Sequence, residues 1–339
     1  MKYPEFLKKG DIIGICAPSD GIIDKDKILR LNEAIKNLNE LGFRVIETES
    51  VRKSEKGRSA SAKRRAEELM YLLENEDVKL IITATGGDFL IEIFDYLDLE
   101  KIKKLKPTWI QGYSNITVIE FIFNNLLEIP SMYCQTAKDY AIKPIFRSLE
   151  DSIKLMSGAD VVQHSFEKYE KEWKSELENI NEGYNLTEKV EWKNLNGESK
   201  IEFQGRCIGG CFDDIVNLIG TKYDNVRGYI DKYKEDGIIW FLEIFEMKTP
   251  EITRNIIQMK NAGYFNNCKG IIFGRPLFIT EEYGISYIES IKDGMKNLNI
   301  PVIIDADIGH VSPQLAIVNG AILKITSENG KGIVETYFR

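Results

Sequence analysis

Apolar residues in the first half of the chain alternate between short β-rich runs and stretches with helical spacing. Asp11 to Ala17 (DIIGICA) predicts a strand that stops at the turn cluster Pro18-Ser19-Asp20-Gly21. From Lys25 to Leu41, Ile28, Leu31, Ala34, Ile35 and Leu38 recur three to four residues apart, which predicts a helix. Phe43 to Glu47 reads as a strand and Ala60 to Glu74 as a helix. Leu80 to Ala84 is nearly continuous in apolar residues, as a strand buried on both faces of a parallel sheet is. Gly86-Gly87 follows, with a helix from about Phe89, a strand at Trp109 to Gly112 and a helix at Ile116 to Leu127. Repeated strand–helix units predict a doubly wound α/β domain.

The pattern breaks at residues 164–200, a charged stretch poor in aliphatics and rich in Asn, Glu and Lys. It reads as a linker or an excursion over the surface, yet it carries Tyr169, Trp173, Tyr184 and Trp192, aromatics that could touch a ligand. Strand and helix signals then resume. Strands are expected at Ile201 to Gly210, Gly237 to Ile244, Gly270 to Gly274 and Pro301 to Ala306. Helices are expected at Phe212 to Ile219, Glu251 to Ala262 and Ile285 to Asn297. Ala321 to Ile325 and Gly332 to Tyr337 suggest a terminal hairpin. The division is an N-terminal α/β domain over 1–163, an inter-domain segment over 164–200 and a C-terminal α/β domain over 201–339.

Composition narrows the function. The 339 residues suggest about two domains. Forty-five basic against 53 acidic side chains leave a net charge of −8, which argues against a nucleic-acid or anionic-membrane partner. No apolar run approaches the roughly 20 residues of a membrane span, and the first residues do not resemble a signal peptide. Five scattered Cys without a Cys-x-x-Cys pair favour a reducing cytoplasm over a disulfide scaffold. With two His, His164 and His310, a zinc site has no support in the spacing. No metal or cofactor is expected.

Several positions could carry chemistry. Ser114, in Gly112-Tyr113-Ser114-Asn115, lies between a strand and a helix, where a sharp turn would expose a nucleophilic hydroxyl at a helix N-terminus; helix capping is the plainer role. A Ser–His mechanism must draw on His310, in a loop after a strand, or on His164, at the edge of the charged stretch. Glu243 interrupts the apolar run 238–245, so it either faces outward or is buried with a partner such as an imidazole. Gly86-Gly87 could let backbone N–H groups approach an oxyanion, and Asp88 follows them at a place where a substrate would pass. Cys207 and Cys211 flank Ile208-Gly209-Gly210, a spacing that fits small buried residues at a tight turn better than a metal site.

The order and flanks of these residues resemble the serine peptidases that include LD-carboxypeptidases and the microcin C immunity peptidases. The resemblance runs through IGICAPS, RRAEEL, TGGD, KPTWIQGYSN, GRCIGG, NLIGT, FLEIFE and IGH, and so covers almost the whole chain. It implies an N-terminal flavodoxin-like parallel-sheet domain, a second, smaller C-terminal α/β domain, and an active site between them. It implies a Ser114–Glu243–His310 triad with an oxyanion hole from the N–H groups of Gly87 and Asn115, in a cytoplasmic homodimer without metal or cofactor. The immunity branch is the nearer one, because Asp88-Phe89 replaces an aromatic and a further Gly and because the inter-domain segment is long. In that branch such a loop stacks an aromatic on a nucleotide, which makes Trp173 and Trp192 candidates. Asn115 stands where the family usually has Asp, Cys134-Gln135 where it has Gly-Pro, and Cys211 where it has Asn. The substrate expected is an acidic aminoacyl-nucleotide conjugate. The alternatives are a murein tetrapeptide in cell-wall recycling, or a catalytically silent role as a ligand binder.

Overall fold

A computed structural model of the chain describes residues 1–172 and 179–339. The first sheet has six strands in the order Ile317–Asn319, Ser131–Tyr133, Trp109–Gly112, Val78–Thr83, Ile12–Cys16 and Arg44–Glu47. The last five run parallel in the flavodoxin-like order, and Ile317–Asn319 pairs antiparallel at the edge. Helix Lys25–Glu40 starts where the Asp24 carboxylate accepts the N–H groups of Asp26 and Lys27, and Leu31, Ala34 and Leu38 bury its inner face. Helix Ala62–Glu74 is capped by Ser61 and packs Ala66, Leu69 and Leu72 inward.

The second sheet has eight strands, ordered Val162–His164, Lys331–Tyr337, Ile322–Glu328, Lys200–Cys211, Ile238–Glu243, Cys268–Gly274, Val302–Ala306 and Lys193–Asn194. The four from Lys200 to Ala306 run parallel, and Ile322–Glu328 and Lys331–Tyr337 form the expected terminal hairpin. Helix Thr249–Asn261 packs against helix Tyr287–Gly294.

The two sheets trade strands across the boundary that the sequence suggests. Val162–His164 lies in the second sheet, and Ile317–Asn319 closes the first. One apolar core also crosses between them, joining Ile119 and Phe121 to Ile208, Phe212 and Trp240, with the Phe121 and Trp240 rings 6.3 Å apart.

Three predicted helices are modified. Only a 3-10 helix, Leu90–Asp95, forms after Phe89, and the Leu90 N–H is held by the Asn115 side chain. The stretch 114–127 is a 3-10 turn, the α-helix Thr117–Ile122 and a π-helix, Phe123–Leu127, in turn. After Phe212 the helix stops at Ile215 and continues as turns, and the Asp213 and Asp214 carboxylates accept from amides of other elements.

Candidate active site

Strand Trp109–Gly112 is buried along its length and delivers Ser114 into a sharp turn. Ser114 has φ 64°, a left-handed conformation that costs a non-glycine residue roughly 1–3 kcal/mol unless its surroundings enforce it. Two contacts do so. The Ser114 N–H donates to the Tyr133 hydroxyl at 3.2 Å. The neighbouring Asn115 amide is bound three ways, with its oxygen accepting from the Ser19 hydroxyl and the Leu90 N–H and its nitrogen donating to Asp214 at 2.6 Å. Asn115 therefore hangs the start of the helix from three separate elements.

The paired glycines lie against this turn: a Cβ on Gly86 would stand 3.2 Å from the Ser114 Oγ. Gly87, at φ 143°, has no room for a side chain, since a Cβ there would be 2.5 Å from the Ser19 Oγ. Among the described residues neither the Gly87 nor the Asn115 N–H donates to an acceptor.

Glu243 ends strand Ile238–Glu243 and is completely buried, not outward-facing. Its Oε2 lies 2.9 Å from the His310 Nδ1, and its Oε1 accepts the Tyr133 hydroxyl at 2.6 Å. Burial opposes ionisation of Glu243, but the charge and hydrogen bond of His310 and the Tyr133 hydroxyl outweigh it, and the carboxyl titrates below its usual range. Burial likewise pushes His310 down, yet the Glu243 carboxylate more than compensates and its pKa is raised. A carboxylate only accepts, so Nδ1 carries the proton and Nε2 is left as the basic atom. The ring meets Tyr113, the residue before Ser114, edge-on at 5.1 Å between centroids and lies tilted against Phe245 at 4.4 Å. Gly309, at φ 93°, lies directly over the carboxylate; a Cβ there would fall 2.5 Å from the Glu243 Oε2.

Sequence reasoning missed three polar groups of this site. Tyr133 is one. The others are Asp213, whose carboxylate accepts the Phe245 and Glu246 N–H groups at 3.1 and 3.0 Å, and Asp214. Burial pushes them up to about 6 and about 7, respectively. The one signal for them was an acidic pair directly after the buried strand ending at Cys211. No group of three or more His, Cys, Asp or Glu among the described residues could hold a metal ion.

The expected substrate-contacting residues fare differently. Asp88 is exposed just beyond the paired glycines. Trp173 lies outside the described residues. Trp192 is corrected: it is 2% exposed in the core of the second sheet, and its indole N–H donates to Asp307 at 3.0 Å, so neither ring face meets solvent. Its segment is no slack linker. The Phe166 N–H also reaches the Asp307 carboxylate, and the Glu170 N–H donates to the Ser312 carbonyl at 2.8 Å. Both ends of the excursion thus brace the loop that carries His310. Within it Tyr184 packs edge-on to Phe146 and accepts from Gln135 at 3.3 Å. His164 is exposed at the start of this segment, and Cys207 and Cys211 are buried free thiols.

Two family models match the chain, the LD-carboxypeptidase N-terminal domain over residues 13–134 and the LD-carboxypeptidase C-terminal domain over residues 204–325. The microcin C7 self-immunity protein MccF of Escherichia coli is 26% identical over 98% of this chain and 95% of its own length. A probable murein peptide carboxypeptidase of Bacillus subtilis is 23% identical over 98% of this chain and 94% of its own length. The structure of MccF in complex with glutamyl sulfamoyl guanosine superposes with a TM-score of 0.82 at 22% identity, covering 100% of this chain and 99% of that one. The mixed α/β fold is shared.

Proposed function

The chain belongs to the LD-carboxypeptidase family, and from that membership we propose that it is a serine hydrolase cutting an amide bond near a free carboxylate. The observation that carries this reading is the buried Glu243–His310 pair, whose imidazole packs on Tyr113, the residue before a serine held at positive φ at the start of a helix. Glu243 keeps Nδ1 protonated, so the His310 Nε2 takes the Ser114 hydroxyl proton as Oγ attacks the carbonyl. The charge that develops on the carbonyl oxygen meets the N–H groups of Gly87 and Asn115. The imidazolium then passes its proton to the departing amine. Water, activated by the same nitrogen, clears the acyl-enzyme and restores Ser114.

For the substrate we take first a small aminoacyl-nucleotide conjugate, because one relative is named for immunity to microcin C7 and a related structure holds glutamyl sulfamoyl guanosine. A murein tetrapeptide is the second reading. It is favoured by the burial of Trp192, which withdraws one of the two indoles available to stack on a base. A cytoplasmic homodimer belongs to the same proposal.

The test is labelling by a fluorophosphonate probe, followed by turnover of both substrate types side by side. Labelling of wild type but not of Ser114→Ala, with turnover of either substrate, supports the hydrolase. An unlabelled wild type that still binds these ligands makes the protein a silent binder instead.

A further inference from the structure

Tyr133 stands where three parts of the site meet. Its strand, Ser131–Tyr133, lies between the strand that leads into the Ser114 turn and Ile317–Asn319, which follows the His310 loop; Tyr133 itself is in register with Gly112 on one side and Ile317 on the other. Its ring is fully buried in an apolar cluster and packs edge-on to Phe241 at 5.4 Å. A phenol in such surroundings needs a partner for its hydroxyl. This one has two: it donates to the Glu243 Oε1 at 2.6 Å and accepts the Ser114 N–H at 3.2 Å.

From these two bonds we infer that Tyr133 is a positioning residue for the hydrolysis, a single hydroxyl that ties the orienting carboxylate on one sheet to the nucleophile turn on the other. The inference rests on the hydrolase reading above. Tyr133 acts on each side differently. Toward Glu243 it occupies the oxygen that His310 does not use. The carboxylate then cannot rotate, and part of its charge is drawn away from the imidazole. Toward Ser114 it accepts the N–H of the residue held in the left-handed conformation. That leaves the Asn115 N–H, one residue on, to face a substrate oxygen.

The titratable groups facing the Glu243–His310 pair are Tyr133, Cys211, Asp213 and Asp214, with Tyr113 against both the ring and the carboxylate. Of these, Tyr133 donates to Glu243 directly, as the second partner beside His310, whereas the Cys211 thiol donates to Asp213 at 3.7 Å. Burial first, and then the Glu243 charge, push the Tyr133 phenol well above its ordinary range, so it stays a donor at every working pH.

Tyr133→Phe keeps every ring carbon and removes only the hydroxyl. It should slow fluorophosphonate labelling and kcat by roughly 10- to 100-fold, the size of one hydrogen bond to a charged group, with KM nearly unchanged. Deprived of its second donor, Glu243 should hold the His310 proton more tightly, and the acid limb of activity should move to higher pH. The chain has only two histidines, so the His310 imidazole can be followed by proton NMR with His164 as an internal standard. In the variant the His310 titration should shift up, while circular dichroism should match wild type. In a Glu243→Gln background, removing the hydroxyl should slow the rate less than it does in wild type and leave the acid limb where it is, the remaining loss reporting the missing Ser114 N–H contact. A Tyr133→Phe protein with the wild-type rate and limb overturns the inference, as does a slower one whose limb and His310 titration stay in place. If wild type itself is not labelled at Ser114, the hydrolase reading falls, and that failure is distinct from either outcome.

Discussion

In the proposed mechanism His310 serves as a base only while neutral, and its partner makes neutrality harder to keep. Because Glu243 raises the imidazole pKa, the acid limb of activity should lie above the roughly 6.5 of a free histidine. Glu243→Gln should bring that limb down while slowing turnover, which a pH–rate profile of both proteins checks. Ser114→Ala and His310→Ala should each cost roughly 10⁴-fold or more in turnover, and the double variant should be little worse than either, since such groups act as a unit. Near-additive losses would argue against a shared mechanism. A second buried carboxyl behaves in the opposite sense. Glu120, behind the Ser114 turn, is completely buried, neither of its oxygens has a hydrogen-bond partner among the described residues, and burial raises its pKa well above normal despite the nearby Ser131 hydroxyl. A group that is neutral in the fold but ionises at about 4.3 when unfolded stabilises the protein least at high pH. Wild type should therefore lose stability relative to Glu120→Gln as pH rises from about 4 to 7, and the two should converge in acid. Thermal melts across that range decide it.

Loops and turns decide whether these residues meet. Gly309 has to be glycine twice over, for its positive φ and because the Glu243 carboxylate lies under its Cα. Gly309→Ala should push the imidazole off its partner and lower kcat by at least 100-fold with the protein still folded, as circular dichroism beside an activity assay would show. The excursion 164–200 acts on the same loop from outside. Trp192→Phe leaves a buried Asp307 oxygen short of one donor and should cost about 1–3 kcal/mol in stability. It should slow an aminoacyl-nucleotide and a murein peptide alike. A selective rise in KM for the nucleotide alone would restore Trp192 as a ligand contact. Here the limits of the sequence are physical. The strand–turn–helix around Ser114, the Gly309-His310 loop and the carboxylate inside 238–245 are local patterns, so they were legible. Tyr133, Asp213 and Asp214 were not, because their meaning depends on which distant element their polar atoms meet. Trp192 misled, since an aromatic in a polar stretch looks exposed until the strand it packs against is known.

The whole molecule has fewer seams than its sequence pattern suggests. Periodicity located most strands and the two-sheet plan, but strand order across the middle could not be read, since the edge strand Ile317–Asn319 is short and has no alternation of its own. With strands exchanged and a core shared, the halves should not separate: heating or urea should unfold the chain in one transition. A fragment of residues 1–163 should fail to form a stable sheet. Two well-resolved transitions, or a folded fragment, would show independent domains.

That late edge strand also sets a timetable for synthesis. Strand Ser131–Tyr133 has its partner only when residues 317–319 have been made, and the 183 residues from 134 to 316 must be translated in between. At about 5–20 residues per second, the outer edge of the first sheet waits roughly 10–40 seconds on the ribosome without its neighbour. An unpaired edge of that age is a place for nascent chains to stick together, and so for chaperones to bind. His310 emerges in the same interval, just ahead of the closing strand, so the sheet is sealed only after every residue of the proposed site has been made.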